Sequence, residues 1–309
     1  MSHIFEALQR AEAERSGGNA SSTTLDSIAA LLDQVLAKEG EGAEPASNGQ
    51  SFAGLNSQGG ETFSAAPVLS PTPSADSRLV CLTDQGSLAA EKFRVLGLRL
   101  RNLREKRKLK RIVVTSTIPE EGKSLTAANL ALNQSRSKVF KTLLLDGDLR
   151  RPALAGRFGL RTSLPGLSEC LRGELQLSEV VYKLNGTNLW FLPSGIPPEN
   201  PLELMQSARM TNLLDRLSNF FDWVLIDAPP LIPLADTTYW MKQSDGVLMV
   251  VREGVTEKKP LKRALEIVDR GALLGVVVNS CSSSDHKSYY QRYSLISVKS
   301  GDAPAAENQ

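Results

Sequence analysis

The sequence predicts an α/β fold, a mostly parallel sheet sandwiched by helices, with a disordered N-terminal linker ahead of it. Three observations carry that expectation. Short, almost unbroken apolar runs alternate with helical stretches, as expected of parallel strands covered on both faces. The first of these runs opens into a Gly-Lys-Ser turn at the start of a helix, and two later runs end in aspartates. Ligands of open α/β sheets gather at that carboxyl edge of the strands.

In chain order, residues 1–15 (MSHIFEALQRAEAER) read as a short amphipathic helix with Ile4, Phe5 and Leu8 on one face. The stretch is charged and lacks the apolar core of a signal peptide. Residues 16–77 are rich in Ser, Gly, Ala, Thr and Pro, with Phe52 and Phe63 as their only aromatics. Such a composition buries too little apolar surface to fold alone, so a disordered linker is expected. Inside it, Leu25, Ile28, Leu32, Val35 and Leu36 fall at helical spacing. That island is either a docking helix or one that forms transiently.

From Arg78 the pattern changes. Glu91–Arg104 reads as a helix, and strands are expected over Ile112–Thr115, Thr142–Asp146, Leu189–Leu192, Trp223–Asp227, Val247–Val251 and Gly275–Asn279. Residues 78–285 therefore make one domain, and 286–309 a polar, flexible tail. That tail holds Tyr289, Tyr290 and Tyr293, three of the five tyrosines in the chain.

Composition excludes several classes. At 309 residues and 41% hydrophobic the chain can build a core, yet no apolar run approaches the ~18 residues of a membrane span. Cys81, Cys170 and Cys281 are too scattered for a metal spacing or a disulfide framework. A formal charge of +2 argues against nucleic acid as a partner for the whole chain. The run Arg99–Arg111 has eight basic residues against one acid, Glu105. It reads first as a solvated helix end, and no aromatic interleaves it as a single-strand binder would need.

The chemistry lies in three segments. TSTIPEEGKS (Thr115 to Ser124) ends in a phosphate-gripping turn, where helix N–H groups, a lysine and a hydroxyl surround a polyphosphate. Thr117 stands where the general pattern has its first glycine, which makes this a deviant Walker A loop of a P-loop NTPase. Thr117, Glu121, Gly122, Lys123, Ser124 and Leu125 are the expected nucleotide contacts, with Thr126 near the α phosphate. Lys123 would neutralise the β and γ phosphates and Ser124 would ligate Mg²⁺. The segments LLLDGDLRRP (Leu143 to Pro152) and VLIDAPP (Val224 to Pro230) carry Asp146, Asp148 and Asp227 at strand exits. Buried aspartates are costly unless they meet metal, bases or helix caps. After a Gly-Lys-Ser loop they point to a magnesium–ATP site.

Together these motifs resemble the bacterial protein-tyrosine kinases of capsule and exopolysaccharide synthesis. The resemblance runs from about Leu79 to Tyr293 and includes LPSGIPPENPLELMQS (Leu192 to Ser207), SDGVLMVVREGVT (Ser244 to Thr256) and LGVVVNS (Leu274 to Ser280). It implies an ATP-dependent tyrosine autokinase, cytoplasmic and held at the inner membrane by an activator of the polysaccharide co-polymerase type in a separate chain. Asp146 and Asp227 would then organise Mg²⁺, Asp148 would orient or deprotonate the tyrosine, and Asn279 would reach adenine or cap a helix. Arg150 would bind phosphate or brace the site, or else pair at the surface. Tyr289, Tyr290 and Tyr293 would be the autophosphorylation sites.

Two departures bear on this reading. The family's assembly helix carries Glu-x-x-Arg-x-x-Arg, whereas this chain has Glu91, Arg94 and then Gly97, which weakens the homo-oligomer it implies. Glu120 stands where a glycine is frequent, and its side chain is expected to point outward. The alternatives are a partitioning or Min-type ATPase switch and a non-catalytic ATP-binding regulator of polysaccharide export. The first carries a lysine five positions before the invariant one; here that position is Ile118.

Overall fold

The computed structural model describes residues 27–32, 63, 66–232 and 235–281. The expected helix over 1–15 and the tyrosine tail over 286–309 lie outside these residues. The elements in order are β1 (Val68–Leu69), α1 (Val80–Thr83), α2 (Leu88–Lys106), β2 (Arg111–Ser116), α3 (Lys123–Ser135), β3 (Thr142–Asp146), α4 (Leu154–Arg157), α5 (Leu167–Arg172) and α6 (Leu177–Val180). They continue with β4 (Tyr182–Leu184), β5 (Leu189–Leu192), α7 (Pro201–Met205), α8 (Ala208–Phe220), β6 (Trp223–Asp227), α9 (Asp236–Lys242), β7 (Gly246–Arg252), α10 (Lys258–Ile267) and β8 (Leu273–Asn279).

The strands form one eight-stranded sheet in the order β1-β4-β5-β3-β6-β2-β7-β8. Every pairing is parallel except β4 with β5. Successive side chains of a strand face opposite sides, and both sides are apolar here. Ile112, Val114, Leu144 and Leu225 join α1, α2 and α3 in one core layer. Val113, Leu143, Leu145, Val224 and Ile226 join α5, α7, α8 and α9 in the other. The uninterrupted apolar reading of these strands thus reflects burial on both faces.

The structure corrects the N-terminal boundary. Residues 27–32 form a helix whose Ile28, 2% exposed, packs with Leu231, Val247 and Leu261, so the island in the expected linker docks. Phe63 is buried against Phe221 (centroids 5.4 Å, stacked) and Phe220 (4.8 Å, edge-on). Val68 and Leu69 pair with Lys183 and Leu184, so ordered chain begins ahead of Arg78. Composition hid Phe63 and β1 because each depends on one or two apolar residues in a polar stretch, whereas the helical spacing around Ile28 had left docking open.

The basic run is absorbed largely by the fold. Arg101 donates to Gln134 (2.9 Å), Arg104 lies 4.8 Å over the Trp223 ring, and Arg107 donates to the Gly271 carbonyl (2.7 Å). Lys110 donates to the Ser218 carbonyl (2.7 Å) and Arg111 pairs with Asp215 (2.5 Å). Gly97 explains the departure in α2. A Cβ there would stand 2.4 Å from Asn133 Oδ1 in α3, and the Gly97 carbonyl accepts from Gln134 Nε2 at 3.0 Å. Gly97 faces inward, where two helices touch. Replacing it with Arg, as the family motif would have it, forces α2 off α3. Overpacking of this kind costs ~1–3 kcal/mol, so Gly97→Arg should lower the thermal midpoint; an unchanged midpoint would refute this packing role.

Candidate nucleotide and metal site

β2, β3 and β6 are adjacent and parallel, so their carboxyl ends converge at one edge of the sheet. Asp146 and Asp227 are direct partners in the β3–β6 register, which sets two carboxylate-bearing residues about 5 Å apart. The turn after β2 delivers the phosphate loop beside them. Gly122 caps α3 with φ +97°, a conformation open chiefly to glycine. A Cβ at Gly122 would also stand 2.1 Å from Asn279 Nδ2. Glu120 has φ +67° and is exposed, which accounts both for the usual glycine and for an outward side chain.

Lys123 is the hub. Its Nζ lies 3.0 Å from Asp148 Oδ2, 3.5 Å from Asp227 Oδ1 and 3.4 Å from Ser124 Oγ. Burial works against its charge, but attraction to Asp227, Asp148 and Asp146 outweighs that and raises its pKa. Burial also pushes the Asp146 carboxyl up, and the neighbouring Asp227 adds to it. Asp227 is raised for the same first reason, with Lys123 only partly offsetting it.

The three aspartates differ in what holds them. Asp146 accepts backbone N–H bonds from Asp148 (3.3 Å) and Leu154 (3.1 Å). Asp148 Oδ1 accepts from the Arg151 amide at 3.0 Å, and its Oδ2 faces Lys123. Asp227 is fully buried, with the Lys123 ammonium 3.5 Å from Oδ1, the Ser124 hydroxyl beside it and no backbone N–H on either oxygen. A buried carboxylate so sparsely bonded is what a hard cation would satisfy. Among the described residues no group of three or more His, Cys, Asp or Glu could hold a metal by itself. Mg²⁺ takes one or two carboxylates and completes its shell with water and phosphate. Ser124, Asp146 and Asp227 fit that role.

Other expected contacts take different roles. Glu121 turns inward: its fully buried carboxylate accepts from the Ile118 amide (3.0 Å) and from the Thr256 hydroxyl. Burial raises its pKa, opposed by those bonds. Only its backbone can face a nucleotide. Leu125 packs on the core, so the same applies to it. Asn279 Nδ2 donates to the Glu121 carbonyl at 3.0 Å and braces the loop from β8. Thr117 is buried, and its carbonyl accepts from the Ile232 amide at 3.1 Å. Thr126 is buried within α3. Arg150 pairs with Asp236, Nε to Oδ2 at 2.6 Å, a brace to α9. Thr256 was missed because a threonine after a strand has no distinctive spacing.

The crowding of Asp146 and Asp227 has a consequence for stability. Carboxyls with raised folded pKa cost nothing below their unfolded value of about 4 and destabilise increasingly as pH rises through the folded value. Asp227→Asn should therefore raise the thermal midpoint of the nucleotide-free protein, more at pH 8 than at pH 5. The same variant should weaken the Mg²⁺-dependent part of ATP binding. A midpoint lowered at neutral pH would overturn the repulsion argument.

No family model matches the chain. Over 213 residues it is 33% identical to the tyrosine-protein kinase YwqD of Bacillus subtilis, spanning 68% of this chain and 89% of that protein. It is 36% identical to the tyrosine-protein kinase CpsD of Streptococcus pneumoniae serotype 4 over 182 residues, 58% of this chain and 80% of CpsD. The crystal structure of the chimerical protein CapA2B2 superposes with a TM-score of 0.64 at 32% identity, covering 71% of this chain and 96% of the other. Fold, phosphate loop and relatives agree: the chain belongs to the bacterial tyrosine-protein kinases.

Proposed function

We propose that this protein is an ATP-dependent protein-tyrosine autokinase acting in capsule or exopolysaccharide synthesis. The observation that carries the reading is Lys123, whose ammonium bridges Asp148 (3.0 Å) and Asp227 (3.5 Å) at the N-terminus of α3. A lysine, a hydroxyl, helix N–H groups and three carboxylates then surround one point. Magnesium–ATP, bound there, supplies the phosphoryl group and part of the neutralising charge.

Each residue has a separate task. The N–H groups at the start of α3 and Lys123 bind phosphate. Ser124, Asp146 and Asp227 hold the metal. Asp148 accepts the tyrosine proton at its carboxylate, which the Arg151 amide holds through Oδ1 and Lys123 through Oδ2. A tyrosine hydroxyl, with a solution pKa of ~10, needs that acceptor near neutral pH. Asn279 and Glu121 keep the loop in shape. Ile118, at the position where partitioning ATPases carry a second lysine, and the relatives' names both favour the kinase over an ATPase switch.

The expected acceptors are Tyr289, Tyr290 and Tyr293, which lie outside the described residues. Oligomer formation finds support on α2. Glu91, Arg94, Val95 and Leu98 share one helical face, with Val95 40% and Leu98 56% exposed. Glu91 and Arg94 pair with each other, and Arg94 also donates to the Gln85 carbonyl. No helix among the described residues is long and apolar enough to cross a membrane. We assign membrane association to an activator in a separate chain, with the kinase itself cytoplasmic.

Lys123→Ala should abolish ATP binding in calorimetry while circular dichroism stays native; retained affinity would sink the phosphate-loop assignment. Asp148→Asn should keep magnesium–ATP binding and lose phosphotransfer, and wild-type turnover in that variant would remove Asp148 from its role. Replacing Tyr289, Tyr290 and Tyr293 together by Phe should eliminate autophosphotyrosine and leave ATP binding unchanged. Wild-type protein that never acquires phosphate there, with its activator present, would favour the ATPase switch instead.

A further inference from the structure

Helix α9 touches both aspartate-bearing turns. Its Asp236, 2% exposed, takes Arg150 at two points, Nε to Oδ2 at 2.6 Å and Nη2 to Oδ1 at 3.2 Å. One turn along, Trp240 donates Nε1–H to the Gly147 carbonyl at 3.0 Å. Gly147 separates Asp146 from Asp148. A Cβ on it would stand 2.9 Å from the Trp240 ring and 3.0 Å from the Asp227 carbonyl. The Gly147 amide donates to that same carbonyl at 2.8 Å.

The second turn is held between these points. Thr237 donates its hydroxyl to the carbonyls of Pro229 (2.8 Å) and Pro230 (3.3 Å), just after Asp227. Thr115 of β2 donates to the same Pro229 carbonyl at 2.7 Å. Asp236, Thr237 and Trp240 are all buried. A helix is stiff over one turn, so these attachments make the two carboxylate turns move as one body. The far side of the phosphate loop is braced from other elements, by Thr256 and Asn279, while its Thr117 carbonyl accepts from Ile232 in the segment after Asp227.

We propose that α9 is a positioning element for the metal-binding and proton-accepting carboxylates, with Asp236 and Trp240 as its positioning residues. It sets where Asp148 and Asp227 stand relative to Lys123, and through them the phosphotransfer step and the Mg²⁺-dependent part of nucleotide affinity. Phosphate gripping by Lys123 and α3 does not depend on it. The inference rests on reading the site as a magnesium–nucleotide site.

Three variants of the full chain test it. Trp240→Phe keeps most of the ring and removes the N–H, and Asp236→Asn keeps the shape and removes the charge. Arg150→Gln deletes the same ion pair from a side chain 41% exposed, so it opens no cavity. Calorimetry with ATP in EDTA and in Mg²⁺, and phosphotyrosine turnover, are the readouts. The expected result is unchanged affinity in EDTA, with the Mg²⁺-dependent gain and turnover falling about 10- to 100-fold, as for lost supports of metal ligands. Arg150→Lys should recover part of the loss. Wild-type Mg²⁺ gain and turnover in Arg150→Gln and Asp236→Asn would overturn the proposal, as would affinity in EDTA falling in parallel. Should Trp240→Phe fail to fold, the two ion-pair variants decide. Wild-type protein that binds magnesium–ATP but forms no phosphotyrosine would defeat the kinase reading alone, leaving α9 to be judged on the Mg²⁺-dependent gain.

Discussion

The site depends on one electrostatic constraint: Asp146 and Asp227 are neighbours in register at the buried ends of β3 and β6, with the Lys123 ammonium 3.5 Å from Asp227 as the nearby cation. Two buried carboxylates at that spacing repel, and burial disfavours both charges. The fold tolerates the pair because Asp146 is hydrogen-bonded by backbone amides and Lys123 neutralises part of the charge. Asp227 has no backbone amide to help it, only Lys123 and the Ser124 hydroxyl. A site held short of positive charge in this way is suited to gain it with a magnesium–nucleotide. Stability withheld from the free protein becomes affinity for the ligand.

The central fold was legible in the sequence because its strands are buried on both faces. Thr142–Asp146, Leu189–Leu192 and Trp223–Asp227 begin and end where the apolar runs do. Two short strands at the β1 side of the sheet were not legible. Val68–Leu69 and Tyr182–Leu184 are two and three residues long, too short for any period to show. Phe63 escaped for a related reason. A single aromatic in a Ser/Gly/Pro-rich stretch gives no pattern, and its partner Phe221 lies far along the chain; the helical spacing around Ile28 did show, but not whether that helix docks.

For the site, residue types and their order pointed to the phosphate loop and the three strand-end aspartates, because that chemistry needs a glycine, a lysine, a hydroxyl and carboxylates at strand exits. What holds them was beyond the sequence. Glu121 reads as one more acid in a loop, yet it is buried and receives the Thr256 hydroxyl across 135 residues of chain. Trp240 reads as an ordinary core aromatic until its indole N–H is seen on Gly147. Arg150 offered two readings of similar weight, and the carboxylate that decides between them, Asp236, is 86 residues away. Supporting contacts are set by tertiary approach, which a linear pattern does not encode.

The same logic governs α2. On sequence alone, Gly97 looks like a lost arginine and a weakened assembly helix. In the fold it lies where α2 meets Asn133 and Gln134 of α3, the helix that starts at Lys123. An arginine at 97 would have to displace that contact, so the glycine reflects close helix packing rather than decay of a surface motif. The outward face keeps Glu91 and Arg94 and adds Val95 and Leu98 one turn on. An interface there would exchange the second arginine's charge for apolar area, at about 25 cal/mol per Å² buried. Such a surface associates with less dependence on salt than an arginine-rich one, because apolar burial is not screened by ions. α2 packs directly on α3, so the face that keeps Glu91 and Arg94 is backed by the helix that starts at Lys123.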